Sequence, residues 1–193
     1  EEYEKEALEL LGFDTKPFKT STSTVIKLLA KSDALAISVF DKVGVRFTTN
    51  SIFDTFRVVR FLIDEDLVSY PHIMPDQSTN SLYPVELFLK ACADLTPQVR
   101  GMDAPAIDRY FSEYLEANRN EVAFLKKENV YSGADYRFIK FIARKLIRVE
   151  IPGGKEKFSF FYPFEVQIVD QESRQKVLSG PSEHQAYKDR QIL

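Results

Sequence analysis

Two long stretches rich in β-branched and aromatic residues, Tyr136 to Val149 and Lys157 to Val169, are separated only by a short connection containing Ile151-Pro-Gly-Gly154. Proline and glycine there carry turn chemistry, so the two stretches read as adjacent antiparallel strands. A hairpin of this length needs an apolar layer against one face, and the rest of the chain supplies it. Val43, Val45 and Phe47 alternate with Gly44, Arg46 and Thr48, which reads as a third strand with one buried face. Ser51, with Asp54 three residues on, is a candidate N-cap close to a capping box. The helix it opens is expected to run to about Asp66, with Phe53, Phe56, Val59, Phe61 and Ile63 toward its apolar side.

The remaining segments fill in around this frame. The spacing of Tyr3, Ala7, Leu8 and Leu11 predicts a helix over Glu1–Leu11 that stops at Gly12. Thr15 to Thr24 reads as a loop, Ser23 to Lys31 as a short helix, and Leu67 to Ile73 as a short strand. Pro75 to Glu128 holds two helical patterns, near Pro84–Leu95 and Ala104–Lys127, and reads as an inserted helical block. Another helix is expected from Gln171 onward. Mixed helices and strands with a hairpin-joined pair make the class α+β, and the length of 193 residues suits one domain, 1–193, with the insertion at about 75–128.

Composition narrows the functions. Hydrophobic residues are 44% of the chain, with 16 Phe and 9 Tyr, enough for a packed core. The charge, 26 basic against 29 acidic residues, is −3, so bulk attraction to DNA or to an anionic membrane is not expected, while a local basic patch stays open. Cys92 is the one cysteine and His72 and His184 the two histidines, which excludes a disulfide framework and a zinc site built from Cys or His clusters. No apolar run approaches the ~20 residues of a membrane helix. The sequence begins at Glu1 without Met and has no signal-peptide pattern, so it is expected to be a trimmed piece of a soluble, cytoplasmic protein.

Three groups of residues could carry chemistry. Asp41 precedes the strand Val43–Thr48, and Glu165 interrupts an apolar strand between Phe164 and Val166. Acids on neighbouring strands could hold one Mg²⁺ and orient a phosphate chain; alternation equally allows Glu165 and Gln167 simply to face solvent. Lys19, Ser23 and Lys27 recur every four residues where a loop enters a helix, an arrangement suited to phosphate or to plain solvation. There is no GxxxxGK[ST] loop. Glu183-His184-Gln-Ala-Tyr187-Lys188 offers an imidazole and an ammonium, or a polar helix face.

Taken together and in order, these pieces resemble the RelA/SpoT family of alarmone synthetases. Lys19-x-x-x-Ser23-x-x-x-Lys27 is similar to the family's Arg-x-Lys-x-x-x-Ser-x-x-x-Lys loop, with Pro17 at the Arg position and Lys16 beside it. Asp41-Lys-Val-Gly44-Val-Arg46 resembles Asp-x-x-Gly-x-Arg, and Asp54-Thr-Phe56-Arg-Val58 resembles Asp-Cys-Tyr-x-Val. Ser132-Gly133-Ala-Asp135-Tyr136-Arg-Phe138-Ile-Lys140 is similar to Asn-Gly-Tyr-x-Ser-Leu-His, with Phe138 and Lys140 in place of Ser and His. Phe164-Glu165-Val-Gln167-Ile resembles Glu-x-Gln-Ile-Arg-Thr, with Val169-Asp170 in place of Arg-Thr, and Glu183–Lys188 resembles the family's Ala-Ala-His-Trp-x-Tyr-Lys ending. The resemblance covers about 15–70 and 129–190.

The resemblance implies a nucleotidyltransferase-like mixed sheet flanked by helices, and transfer of pyrophosphate from ATP to the ribose 3′-hydroxyl of GDP or GTP. It implies Asp41 and Glu165 as catalytic acids holding Mg²⁺. Lys19, Ser23, Lys27 and Arg46 would bind the donor phosphates, Tyr136 would stack on the acceptor base, and Gln167, His184 and Lys188 would stand around the acceptor ribose and phosphates. Two other readings follow from the altered motifs. One keeps the chemistry and changes the acceptor to an adenine nucleotide or a tRNA 3′ end, with Lys126 and Lys127, Arg137, Lys140, Arg144, Lys145 and Arg148 as basic candidates. The other is a non-catalytic nucleotide-sensing or interaction module.

Overall fold

The strand Lys157–Asp170 (β5) buries Val166, Ile168 and Val169 almost completely. Two of them, Val166 and Ile168, alternate with Glu165 and Gln167, so a register slip of one residue would expose both and turn the two polar side chains into the core. Re-exposing two such side chains costs about 3–6 kcal/mol, which fixes the register of β5 and with it the sheet. The computed structural model describes residues 8–29, 39–83, 85–118, 137–153 and 157–179, and the contacts given are among these.

The other strands are Leu10–Lys16 (β1), Gly44–Thr49 (β2), Ile73–Asn80 (β3) and Ile139–Glu150 (β4). The helices are Ser21–Leu29 (α1), Ile52–Asp64 (α2), Val85–Leu95 (α3), Ala104–Ala117 (α4) and Gln171–Ser179 (α5), with a short 3-10 turn at Tyr70–His72. The sheet order is β1-β2-β5-β4-β3. β5 runs parallel to β2 and antiparallel to β4, while β1 pairs β2 and β3 pairs β4 antiparallel. The class is therefore α+β with a mixed five-stranded sheet flanked by helices.

α2 covers the apolar face of this sheet. Its start is set by Ser51, whose Oγ accepts from the Asp54 backbone N–H at 3.1 Å. Val58 and Leu62 pack on Phe47, Phe141, Ala143, Val166 and Ile168. The opposite side of α2 turns Phe53 and Phe56 toward a second apolar cluster of Tyr83, Leu87, Ala91, Leu95 and Phe111, built by α3 and α4. Phe53 stacks on Phe111 at 5.4 Å and Phe56 on Phe88 at 4.7 Å between ring centroids. The Phe53 backbone N–H donates to Asp108 Oδ1 at 3.3 Å, tying α2 to α4.

Several expectations need correction. Leu10 and Leu11 belong to β1, which runs on to Lys16, and residues 1–7 of the expected helix lie outside the described residues. The strand expected at Leu67–Ile73 is a turn that enters β3 at Ile73. Residues 75–80 are part of β3, so the helices between β3 and β4 begin at Val85; α4 is described over Ala104–Ala117, and residues 119–127 of the expected helix lie outside the described residues.

Candidate functional site

Residues paired across neighbouring strands share a face of the sheet. Gly44 pairs with Glu165 and Arg46 with Gln167 across β2 and β5. Lys16 pairs with Gly44 on β1, and Lys140 with Gln167 on β4. Lys16, Arg46, Lys140, Glu165 and Gln167 therefore stand on the face opposite α2. Arg46 Nε donates to Gln167 Oε1 at 2.8 Å, which holds the guanidinium across to β5 on the face that Glu165 shares. A Cβ at position 44 would stand 3.2 Å from the Glu165 carbonyl oxygen and 3.3 Å from its Cβ, so glycine lets β2 lie close beside Glu165.

Asp41 enters just ahead of β2. Val43, two residues on, accepts from the Glu165 backbone N–H at 2.9 Å, so the turn carrying Asp41 leads directly to Glu165. Two lysines from the β1–α1 segment meet Asp41. Lys19 Nζ lies 2.8 Å from Asp41 Oδ2, and Lys16 Nζ donates to the Asp41 carbonyl oxygen at 2.8 Å. The Lys19 and Asp41 side chains are 11% and 15% exposed, so this ion pair is partly shielded from water and salt. Thr20 follows at the helix entry: its Oγ1 accepts from the Ser23 N–H at 3.3 Å and donates to Ser23 Oγ at 2.9 Å. Beside this loop is an open cleft of about 360 Å³, with Lys19, Ser21, Thr24 and Lys42 as its polar lining and Phe18 and Tyr162 as its aromatic lining. Its size falls within the ~300–1,000 Å³ of small-molecule sites.

Among the described residues no group of three or more His, Cys, Asp or Glu gathers. Among the described residues, Asp41 and Glu165 are the carboxylates that could hold a divalent cation here, with the other ligands coming from phosphate oxygens and water. That donor set suits Mg²⁺, which keeps several waters and commonly binds through one or two carboxylates plus substrate phosphates.

Solved structures share this architecture. The small alarmone synthetase 2 from Bacillus subtilis matches with a TM-score of 0.50 and 14% identity, over 95% of this chain and 66% of that one. The small alarmone synthetase 1 from Bacillus subtilis bound to its product pppGpp matches with a TM-score of 0.50 and 13% identity, over 95% of this chain and 67% of that one. The fold is that of the small alarmone synthetases. No family model and no curated protein sequence matches. The chain spans about two thirds of the length of these structures.

Within this alarmone-synthetase fold, Lys19, Asp41, Arg46, Glu165 and Gln167 stand on or beside one sheet face, with Ser23 one helical turn into α1. Lys27 lies on α1 with its side chain outside the described residues, as are Tyr136, His184 and Lys188 entirely. Sequence reasoning gave no role to Lys42 and Tyr162 at the cleft. Tyr162 falls on the apolar side of β5 by alternation and is visible as a cleft residue only once β2 is seen to begin opposite Glu165. Asp170 has a local structural role: its Oδ2 accepts from the Ser173 N–H at 3.2 Å and caps α5. Among the described residues no helix is long and apolar enough to cross a membrane.

Proposed function

We propose that this protein transfers the β,γ-diphosphate of ATP to the ribose 3′-hydroxyl of a guanine nucleotide, GDP or GTP. The observation that carries this reading is the single polar sheet face on which Glu165, Arg46 and Gln167 stand in register, with Asp41 and Lys19 at its entry. The alarmone-synthetase fold supports it. The same reading takes residues 1–193 as one domain with the helical block of about 75–128 inserted, acting in the cytoplasm.

The reaction depends on positioning and on neutralising phosphate charge. Lys19 and Lys16, with Ser23 and Lys27 on α1, would hold the donor phosphates, and the cleft beside Lys19 leaves room for part of the ATP. Lys19 would exchange its bond to Asp41 for phosphate, which frees that carboxylate. Asp41 and Glu165 would hold Mg²⁺, which supplies charge neutralisation on the phosphates when bound. Glu165 would take the proton as the 3′ oxygen bonds to the β-phosphorus; the bond from that phosphorus to the α,β-bridging oxygen breaks and AMP leaves. Arg46, kept in place by Gln167, would offset charge on the moving diphosphate. Tyr136 would stack on the acceptor base, worth about 1–3 kcal/mol, with His184 and Lys188 near its ribose and phosphates.

The test uses γ-³²P-labelled ATP with Mg²⁺ and GDP, GTP, ADP or tRNA as acceptor, with products separated by thin-layer chromatography. Label is expected on the guanine nucleotides. Asp41→Ala and Glu165→Ala are each expected to abolish it with unchanged circular dichroism; Asp41→Ala is also expected to lower the thermal midpoint, because it removes the shielded ion pair with Lys19. Wild-type turnover in either variant overturns the assignment.

A further inference from the structure

Strand pairing sorts the basic residues of β4 by face. Lys140, Arg144 and Arg148 lie at four-residue intervals, so all three project to one side. Their partners on β5 are Gln167, Pro163 and Ser159, which puts them on the Glu165 face. Lys145 takes the other face, where its Nζ donates to the Asp66 carbonyl at 3.0 Å. Between Arg144 and Arg148, opposite Leu146, stands Phe161, with the His72 ring edge-on to it at 4.9 Å and the Arg144 guanidinium carbon 5.9 Å from its ring centroid; the residue is still 48% exposed. The acid at the end of β4, Glu150, is ion-paired with Lys157 at 2.9 Å. A locally cationic, aromatic strip thus leaves the candidate site on a chain whose net charge is −3.

Among the described residues the outer half of the strip carries no further strand, and the turn at Tyr70–His72 touches it only beside Phe161. β2 pairs with β5 only from Glu165 onward, and β3 meets β4 no further along than Ala143. Residues 144–150 are exposed. Strand geometry separates successive cations by about 13 Å and the outer two by about 27 Å. The phosphates of a mononucleotide are adjacent and reach one of these charges; an extended polynucleotide reaches all three. Guanidinium forks suit phosphate, and an exposed ring suits an unpaired base. The Ser159 hydroxyl, opposite Arg148 on the same face, offers a partner for a ribose 2′-hydroxyl.

We propose that Lys140, Arg144, Arg148 and Phe161 form a binding strip for single-stranded RNA, running from the tip of the β4–β5 hairpin toward Glu165. The proposal stands independently of pyrophosphate transfer.

Fluorescence anisotropy with a labelled single-stranded RNA of about 12 nucleotides tests it between about 50 and 200 mM salt. The pair Arg144→Glu and Arg148→Glu is expected to weaken binding at least tenfold and to lower the salt slope by about 1.4, as for two lost phosphate contacts. Phe161→Ala is expected to weaken it severalfold without changing that slope. Lys145→Gln on the opposite face is expected to leave binding unchanged, and Glu165→Ala is expected to bind like wild type even if it transfers nothing. If the Glu pair unfolds, Arg144→Gln with Arg148→Gln is read instead. Absence of RNA binding at low salt, equal weakening by Lys145→Gln, or equal binding of DNA or polyglutamate overturns the proposal.

Discussion

Gly44 shows how an absent side chain can shape a site. Its backbone lies so near Glu165 that an added Cβ would meet the Glu165 carbonyl oxygen and Cβ at 3.2 and 3.3 Å. Both are fixed by the sheet, so Gly44→Ala must push β2 and β5 apart by a few tenths of an ångström. The expected result is a loss of about 1–3 kcal/mol in urea denaturation, with a fall in transfer of tenfold or more because Glu165 itself is displaced. Unchanged turnover alongside the stability loss would show that the spacing does not matter to the chemistry. The strand positions of Arg46 and Glu165 were legible in the sequence because each interrupts an apolar alternation; that pattern alone equally allowed Glu165 to face solvent, and the motif resemblance is what singled out Asp41, Arg46 and Glu165 as candidate site residues. The Lys19–Asp41 pair was not, since it joins residues 22 apart through a loop with no periodicity.

At the scale of elements, α2 rests on its cap. Ser51→Ala removes the hydroxyl that accepts from Asp54 N–H and is expected to cost about 0.5–2 kcal/mol in chemical denaturation; Ser51→Asp should restore most of it. The central elements β2, β4, β5 and α2 announce themselves in sequence because burying one face selects alternation or helical spacing. The edge strands do not. β1 exposes Leu10, Leu11 and Phe13, and its Leu-Leu-Gly start imitates a helix end. β3 reads Ile-Met-Pro-Asp-Gln-Ser-Thr-Asn, mostly exposed and with a register shift between Met74 and Thr79. Both are held by backbone bonds to a neighbour, which leaves little mark on side-chain pattern, and Pro75 fits an edge where its missing N–H costs nothing.

The whole molecule joins two apolar clusters through α2, one under the sheet and one among α2, α3 and α4. Tyr83 lies in the second, with its hydroxyl donating to the Phe111 carbonyl at 3.3 Å. Burial raises its phenol from the ordinary 10.0 to about 12. The fold thus favours the neutral form, and its contribution is complete below pH 10. As pH rises from 10 to about 12 the unfolded chain ionises first, so that part of the stability is lost. Thermal midpoints across this range are expected to fall, and Tyr83→Phe is expected to flatten the alkaline limb; an unaltered limb would mean that another group governs it. The strand order has a consequence during synthesis. β5 is the last of the described strands yet central in the sheet, and without it β1–β2 and β3–β4 are two unconnected ladders. A nascent chain keeps one edge of β2 and one of β4 open until residue 170 has emerged, and such unpaired edges invite association between chains. Because β5 also carries Glu165, insertion of that strand closes the sheet and brings together the residues of the candidate site in one event.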